Sequence, residues 1–427
     1  MKIKLLILLP FFILSSIQSY SQNIFKEYSC DNIIIPKQVL VTEDNNMVIP
    51  FSITENNKKK AGILFLDESN NIKDAVLFEG EDSYVINQVI ESDDGNLLIA
   101  AEGYSIENQE SVYFIETDGS RIVNDFIYNE GGNELDPFSI LETKEDNILI
   151  GGFIKNRKLV SSSFYNMFSE EQMIYIGEFN KTGNKIWSQA IRLEGYNEGI
   201  CNKIIKAKDE FILLCHAHKI DGDLTPFIIR IDKVGNVKKI VKLSYNKNIT
   251  QLSDITYEND FVKLIGTYKD NTHYFSALLS DDMSIIRSEY VRLPSQIIIS
   301  NSVWNNTAML ILGTAITEPY DYNFLLMKEY QDYIEFNQFG SDRFDYLVGS
   351  DQELLVGYHL GGGKSSIVLI EDRRESITKD IILAKKDFDL ISKSFQDYKI
   401  INQFKPSNIN KGFSRVNITK VKNRFRF

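Results

Sequence analysis

The residues best placed for chemistry are His216 and His218, which alternate on an apolar run and so point to one side of an extended strand. Asp221 and Asp223 follow closely. Two imidazoles and a carboxylate can hold zinc, but a catalytic zinc takes three well-placed protein ligands, and no third histidine is adjacent. A pair of strand-end histidines without metal is the simpler reading. Gly361-Gly-Gly-Lys364-Ser365-Ser366 has the look of a phosphate loop. Such a loop needs glycine at position 358 and a helix after the lysine. Tyr358 stands there instead, and Ile367-Val-Leu-Ile reads as a strand. The acidic turns Asp93-Asp-Gly-Asn, Thr117-Asp-Gly and Asp281-Asp-Met lack the spacing of a calcium loop. Asp, Asn and Gly are what tight hairpins require. No serine-hydrolase elbow, His-Glu-x-x-His or Cys-x-x-Cys occurs. No cofactor is implied, and no catalytic residue is assigned.

Cysteine usage adds little. Cys201 and Cys215 flank one expected hairpin and are placed to face each other, which leaves a bridge and two free thiols both open. Cys30 is then unmatched. Three cysteines do not make a disulfide scaffold. The fold must rest on a core, and 43% hydrophobic composition over 427 residues supplies one.

The elements that would carry these residues repeat. A polar turn followed by an apolar run recurs with first apolar residues Met47, Leu97, Ile148, Phe211, Phe261, Ala308 and Leu354, at steps of 50, 51, 63, 50, 47 and 46. A second hairpin keeps the same beat, from Ile63-Leu-Phe-Leu-Asp-Glu-Ser-Asn-Asn-Ile through Ile228-Ile-Arg-Ile-Asp-Lys-Val-Gly-Asn-Val to a weaker copy at Ile367–Ile377. Two hairpins per period give four strands, A to D, in about 50 residues, the size of a propeller blade. The sequence therefore predicts an all-β fold, a β-propeller of seven four-stranded blades, with six and eight as alternatives.

The stretch Tyr128-Asn-Glu-Gly-Gly-Asn-Glu-Leu-Asp-Pro-Phe-Ser-Ile-Leu-Glu-Thr-Lys-Glu-Asp-Asn-Ile-Leu-Ile-Gly-Gly resembles a repeat common in exported bacterial β-propellers. Looser copies begin at Phe78 and Leu193, and the likeness fades after about Ser300. The resemblance implies architecture and is nearly silent on activity. Trp187, in Lys181-Thr-Gly-Asn-Lys-Ile-Trp, is similar to the docking tryptophan of quinone-cofactor propellers. Those repeat it in nearly every blade, whereas this chain holds Trp187 and Trp304 alone, so packing is the expected role.

Three segments follow from this reading: a signal peptide over 1–21, propeller repeats over 22–383, and closing strands or a tail over 384–427. Lys2, Lys4, the apolar run Leu5–Leu14 and the serines behind it suit a cleaved leader; a membrane helix needs about 20 apolar residues. Ile24-Phe-Lys-Glu-Tyr looks like a stray D strand, and the tail is expected to complete the last blade or add part of an eighth. The formal charge is -12, which disfavours nucleic acid as partner.

Tight A–B and C–D hairpins would leave the B–C and D–A connections together on the opposite face, where variable loops collect binding residues. The 63-residue step places an insertion in the third B–C connection, so Phe164, Tyr165, Met167 and Phe168 are interface candidates, with Tyr320 and Tyr322 in the sixth unit. A loop that buries its own rings is the competing reading. The expected function is an exported, non-catalytic binding or assembly module of the bacterial cell envelope, contacting a protein or glycan. The alternative is an envelope carbohydrate-active enzyme with carboxylates in the central funnel, which converging polar groups there would favour.

Overall fold

The computed structural model describes residues 24–420 other than 56–57, 80–82, 105–109, 129–132, 162–165, 220–223, 246–250, 269, 306–307, 320, 341–343, 352–353, 362–363, 372–380, 389 and 402–416. The chain enters as β1 (Ile24–Ser29), which belongs to the last blade. Blade 1 is β2 (Ile33–Pro36) with β3 (Leu40–Val41), then β4 (Met47–Glu55), β5 (Lys58–Leu66) and β6 (Ile72–Glu79). Blade 2 is β7 (Ser83–Glu91), β8 (Leu97–Tyr104), β9 (Glu110–Thr117) and β10 (Ile122–Tyr128). Blade 3 is β11 (Glu134–Glu142), β12 (Asn147–Ser161), β13 (Asn166–Asn180) and β14 (Lys185–Leu193).

Blade 4 follows as β15 (Glu198–Ala207), β16 (Glu210–His218), β17 (Leu224–Asp232) and β18 (Val237–Tyr245). Blade 5 is β19 (Gln251–Glu258), β20 (Phe261–Tyr268), β21 (His273–Leu279) and β22 (Ile285–Arg292). Blade 6 is β23 (Gln296–Asn305), β24 (Ala308–Glu318), β25 (Asp321–Glu329) and β26 (Tyr333–Phe339). Blade 7 is β27 (Phe344–Asp351), β28 (Leu354–Gly361) and β29 (Lys364–Glu371). The expected seven-bladed propeller is the fold, and each B strand contains the anticipated first apolar residue. The innermost strands contact one another in an unbroken circle around a central channel.

Apolar side chains from facing sheets form seven clusters, one per seam. The strands are apolar over most of their length because each sheet is covered on both faces. The hairpin turns hold by their own side chains. Asp67 Oδ1 accepts from the backbone of Ser69 and Asn71, Asp118 Oδ1 from Ser120 and Arg121, and Asp232 Oδ1 from Val234 and Asn236. Gly235 has φ 89°, and a Cβ there would lie 2.7 Å from the Trp187 ring, so the turn demands glycine. Trp187 packs there and donates Nε1–H to Glu178 at 2.5 Å, a structural role.

Ring closure differs from two expectations. The anticipated seventh C–D hairpin is replaced: β1 from the N-terminal side pairs with β29 as the outer strand of blade 7. Ile24–Tyr28 is therefore the D strand that its pattern suggested. Among the described residues, the tail neither completes the last blade nor begins an eighth. It runs backwards around the rim as β30 (Ile381–Ala384), β31 (Lys386–Asp387), β32 (Leu390–Ser394), β33 (Tyr398–Ile401) and β34 (Asn417–Lys420). These pair in turn with the outer strands of blades 6, 5, 4, 3 and 1. An exposed strand edge is an open hydrogen-bond template, and this strap covers five of them.

Candidate functional site

Around the channel each innermost strand from blade 2 to blade 7 carries a bulge at the same level, at Asn87, Phe138, Asn202, Ser253, Ser300 and Val348. A bulge takes one residue out of the ladder. Side chains of the preceding blade bond the backbone just beyond it. Val89 N–H donates to Gln38, Ile140 N–H to Gln88 at 2.7 Å, Ile204 N–H to Ser139 at 3.0 Å and Ser302 N–H to Asp254 at 2.8 Å. Lys203 donates to Asp254 as well. Ser365, from the glycine-rich segment, stitches blade 7 to Ile34 of blade 1. That segment leads into strand β29, as its apolar continuation indicated.

On the loop face, where B–C and D–A connections lie, four rings form a row over blades 6 and 7. Tyr322 stands 5.2 Å from Phe344 and 5.7 Å from Tyr346, and Tyr346 stacks on Tyr358 at 4.9 Å. All four are half-buried. Phe344 and Tyr346 lie on the innermost strand, near the channel mouth. Burial, with Tyr346 beside it, pushes Tyr358 up to about 12, so its hydroxyl remains a donor at neutral pH. Nearby, the buried Asp345 accepts from His359 Nδ1 and fixes that ring against Phe324.

The channel wall of blades 1 to 3 is charged. Lys37 stays open to water while protein surrounds most of it, and burial, with Lys59, pushes its ammonium below the usual value. Glu102 and Asp136 pull the other way. Asn87 Nδ2 donates to Asp136 Oδ1 at 3.2 Å, and Lys155 pairs with Glu134 at 3.5 Å. Glu102 and Asp136 thus both act on Lys37, while Asp136 is also bonded by Asn87 and Glu134 is paired with Lys155.

On the opposite, turn face, a cavity of about 340 Å³ opens between blades 1 and 2, floored by Val48, Phe65 and Leu97 and rimmed by Lys73, Glu91 and Asp118. Phe65 gives its floor an apolar ring where the neighbouring blades carry a carboxylate. At the matching strand position, Glu116 and Glu178 bond Asn96 and Asn147 at 2.9 Å in blades 2 and 3.

The sequence candidates divide. Tyr322 joins the aromatic row; Tyr320, Phe164 and Tyr165 lie outside the described residues. Met167 and Phe168 sit on β13, opposite Val160 and Leu159, in a hairpin whose two strands run 15 residues each against nine for β16 of blade 4. The insertion is thus extended sheet. Phe344, Tyr346 and Tyr358 escaped sequence reading, although Phe344-Asp-Tyr346 and Tyr358 alternate like Tyr320-Asp-Tyr322.

Among the described residues, His216 and His218 join no metal-ligating group. His216 is buried with Nδ1 2.6 Å from Asn202 Oδ1, and His218 lies opposite Glu198 in the ladder. Asp221 and Asp223 lie outside the described residues, among which no group of three or more His, Cys, Asp or Glu gathers to hold a metal. Cys201 and Cys215 face each other as register partners and stand as buried free thiols, and Cys30 is buried with its Sγ 3.3 Å from Asn32 O.

No family model and no curated protein matches the chain. Solved structures do. Drosophila Semaphorin 1a, extracellular domains 1-2, is 8% identical with a TM-score of 0.47, over 84% of this chain and 90% of that one. A subtype N10 neuraminidase-like protein of a little yellow-shouldered bat isolate from Guatemala is 11% identical with a TM-score of 0.40, over 69% and 98%. The AfRom2 CNH domain is 10% identical with a TM-score of 0.39, over 83% and 99%. At these values the likenesses carry no argument about function.

Proposed function

We propose that this chain is an exported, non-catalytic binding or assembly module of the bacterial cell envelope that contacts a protein or glycan through its loop face. The leader-like start and the resemblance to exported bacterial repeats support export. The aromatic row Phe344–Tyr322–Tyr346–Tyr358 carries the binding reading. Ring faces and hydroxyl edges together suit a sugar ring or a peptide, offering apolar contact and a donor in one surface. The extended blade-3 hairpin adds a second surface beyond the repeat.

The mature chain should be tested on an immobilised glycan array and by pull-down from envelope extract, with Tyr346→Ala as control. Ligand retention that the substitution abolishes supports the reading; retention that it leaves unchanged removes the row from the site. Release of reducing ends from a retained glycan would instead favour the carbohydrate-active alternative, for which Glu102, Glu134 and Asp136 are the carboxylates to replace.

A further inference from the structure

The rim offers a separate surface. The strap's grip at each blade is short: four residue pairs on blade 6, two on blade 5, five on blade 4, four on blade 3 and four on blade 1. Between these footholds it sends side chains inward. Leu383 packs on the seam of blades 5 and 6, and Phe388 and Leu390 fill that of blades 4 and 5. Phe395 and Tyr398 enter the seam of blades 3 and 4, and Ile401 that of blades 2 and 3. Phe388 stacks on Tyr245 at 4.3 Å and on Phe275 at 5.1 Å, and Phe395 meets Phe227 at 5.2 Å edge-on. The nearly buried Lys385 side chain reaches Glu329 at 2.8 Å and Glu289 at 3.3 Å.

We infer that the outer rim is a docking surface for an extended segment with aromatic knobs seven residues apart, and that the strap of a second copy of this chain is the partner it fits. The recognition is β-augmentation: main-chain pairing gives adhesion, and seam pockets read the side chains. In one ring the strap occupies its own rim because the tether keeps its effective concentration high. Each foothold is short, and Ile381, Ile382, Ile391 and Ile400 stay exposed on the strap. The strap can therefore peel from the rim stepwise without unfolding the blades. Every copy carries both rim and strap, so a released strap meets an identical set of edges and pockets on a neighbour.

The probe is a labelled peptide of residues 381–401, offered to the full chain and to a full chain carrying Phe388→Ala and Phe395→Ala. The substituted chain, whose own strap holds less firmly, should take the peptide at least tenfold more tightly than the unsubstituted chain. A peptide with the same two alanines should bind neither. Equal binding to both chains, or none to a folded substituted chain, overturns the docking surface. Phe388→Leu serves in place of the double substitution if that chain fails to fold. Two dye-labelled preparations of the full chain, mixed at high concentration, should develop energy transfer that excess peptide suppresses. Its absence rejects the second copy as occupant.

Discussion

Asp254 of blade 5 accepts two hydrogen bonds from Ser302 of blade 6, from the backbone N–H at 2.8 Å and from Oγ at 2.7 Å, while Lys203 of blade 4 donates to its other oxygen. One buried carboxylate thus couples three blades beside the channel. Replacing it by alanine removes the acceptor of Lys203 and of Ser302 Oγ, while Ser302 N–H keeps Asn301 Oδ1 at 2.8 Å and the partly exposed ammonium keeps water. Asp254→Ala is expected to cost about 2 kcal/mol, with Asp254→Asn milder because it keeps an acceptor. Denaturant unfolding of the two variants measures this, and equal stability of both with the unsubstituted chain would refute the coupling.

Glu329 governs the acid limb of stability. Burial raises its pKa, but Lys263 and Lys385 outweigh that and hold the carboxyl at about 2, against an ordinary 4.5. A depressed folded value means its contribution is complete above about pH 4.5 and is lost as pH falls toward 2. The contribution is on the order of 3 kcal/mol. Lys385→Met should raise the pH of acid unfolding, and Glu329→Gln should flatten stability over this window. Thermal melts between pH 6 and pH 2 report both.

His216 acts in a higher window. Burial, with His218 nearby, lowers it to about 4 from 6.5, against an opposing backbone bond at Leu252. The unfolded chain takes up the proton first, so stability is complete above pH 6.5 and declines as pH falls to about 4. Its ring resonances should stay in the neutral form from pH 8 to pH 5. His216→Gln should remove that part of the slope.

The aromatic row separates binding from folding. Tyr322→Ala and Tyr346→Ala remove half-exposed rings that only partly support the core, so melting should shift little. Binding of the ligand found in the glycan or pull-down screen should weaken about tenfold, the scale of one aromatic contact. Titration calorimetry gives the affinity, and differential scanning calorimetry guards against misfolding.

The three thiols should be inert while the ring is folded. Cys201 and Cys215 are wholly buried, and burial with the neighbouring Cys201 raises Cys215 well above its ordinary value. Thiolate is the reactive form, so alkylation should be slow in native buffer and complete in denaturant. Fast native labelling of Cys215, read by mass spectrometry, would contradict the packing.

The repeat itself was legible because its determinants are local. Met47, Leu97 and Ile148 head short continuous apolar runs bounded by turn residues, and the turns are fixed by side chains bonding backbone two to four residues away. Tyr322 was reachable as an aromatic outside the repeat. The other rings of its row were not, since Phe344, Tyr346 and Tyr358 look like ordinary strand residues until blades 6 and 7 meet.

Strand type, repeat length and turn chemistry were thus determined by the chain alone, through short apolar β-rich runs recurring about every 50 residues. Tertiary structure alone decided which edges pair and which side chains meet. Ser365 bonds Ile34 across 331 residues, and the tail finds the rim rather than the last blade. A polar residue such as Asp254 or an aromatic such as Phe388 carries no sign of its partner. The partner exists only once closure of the ring brings a bulge or a seam within reach.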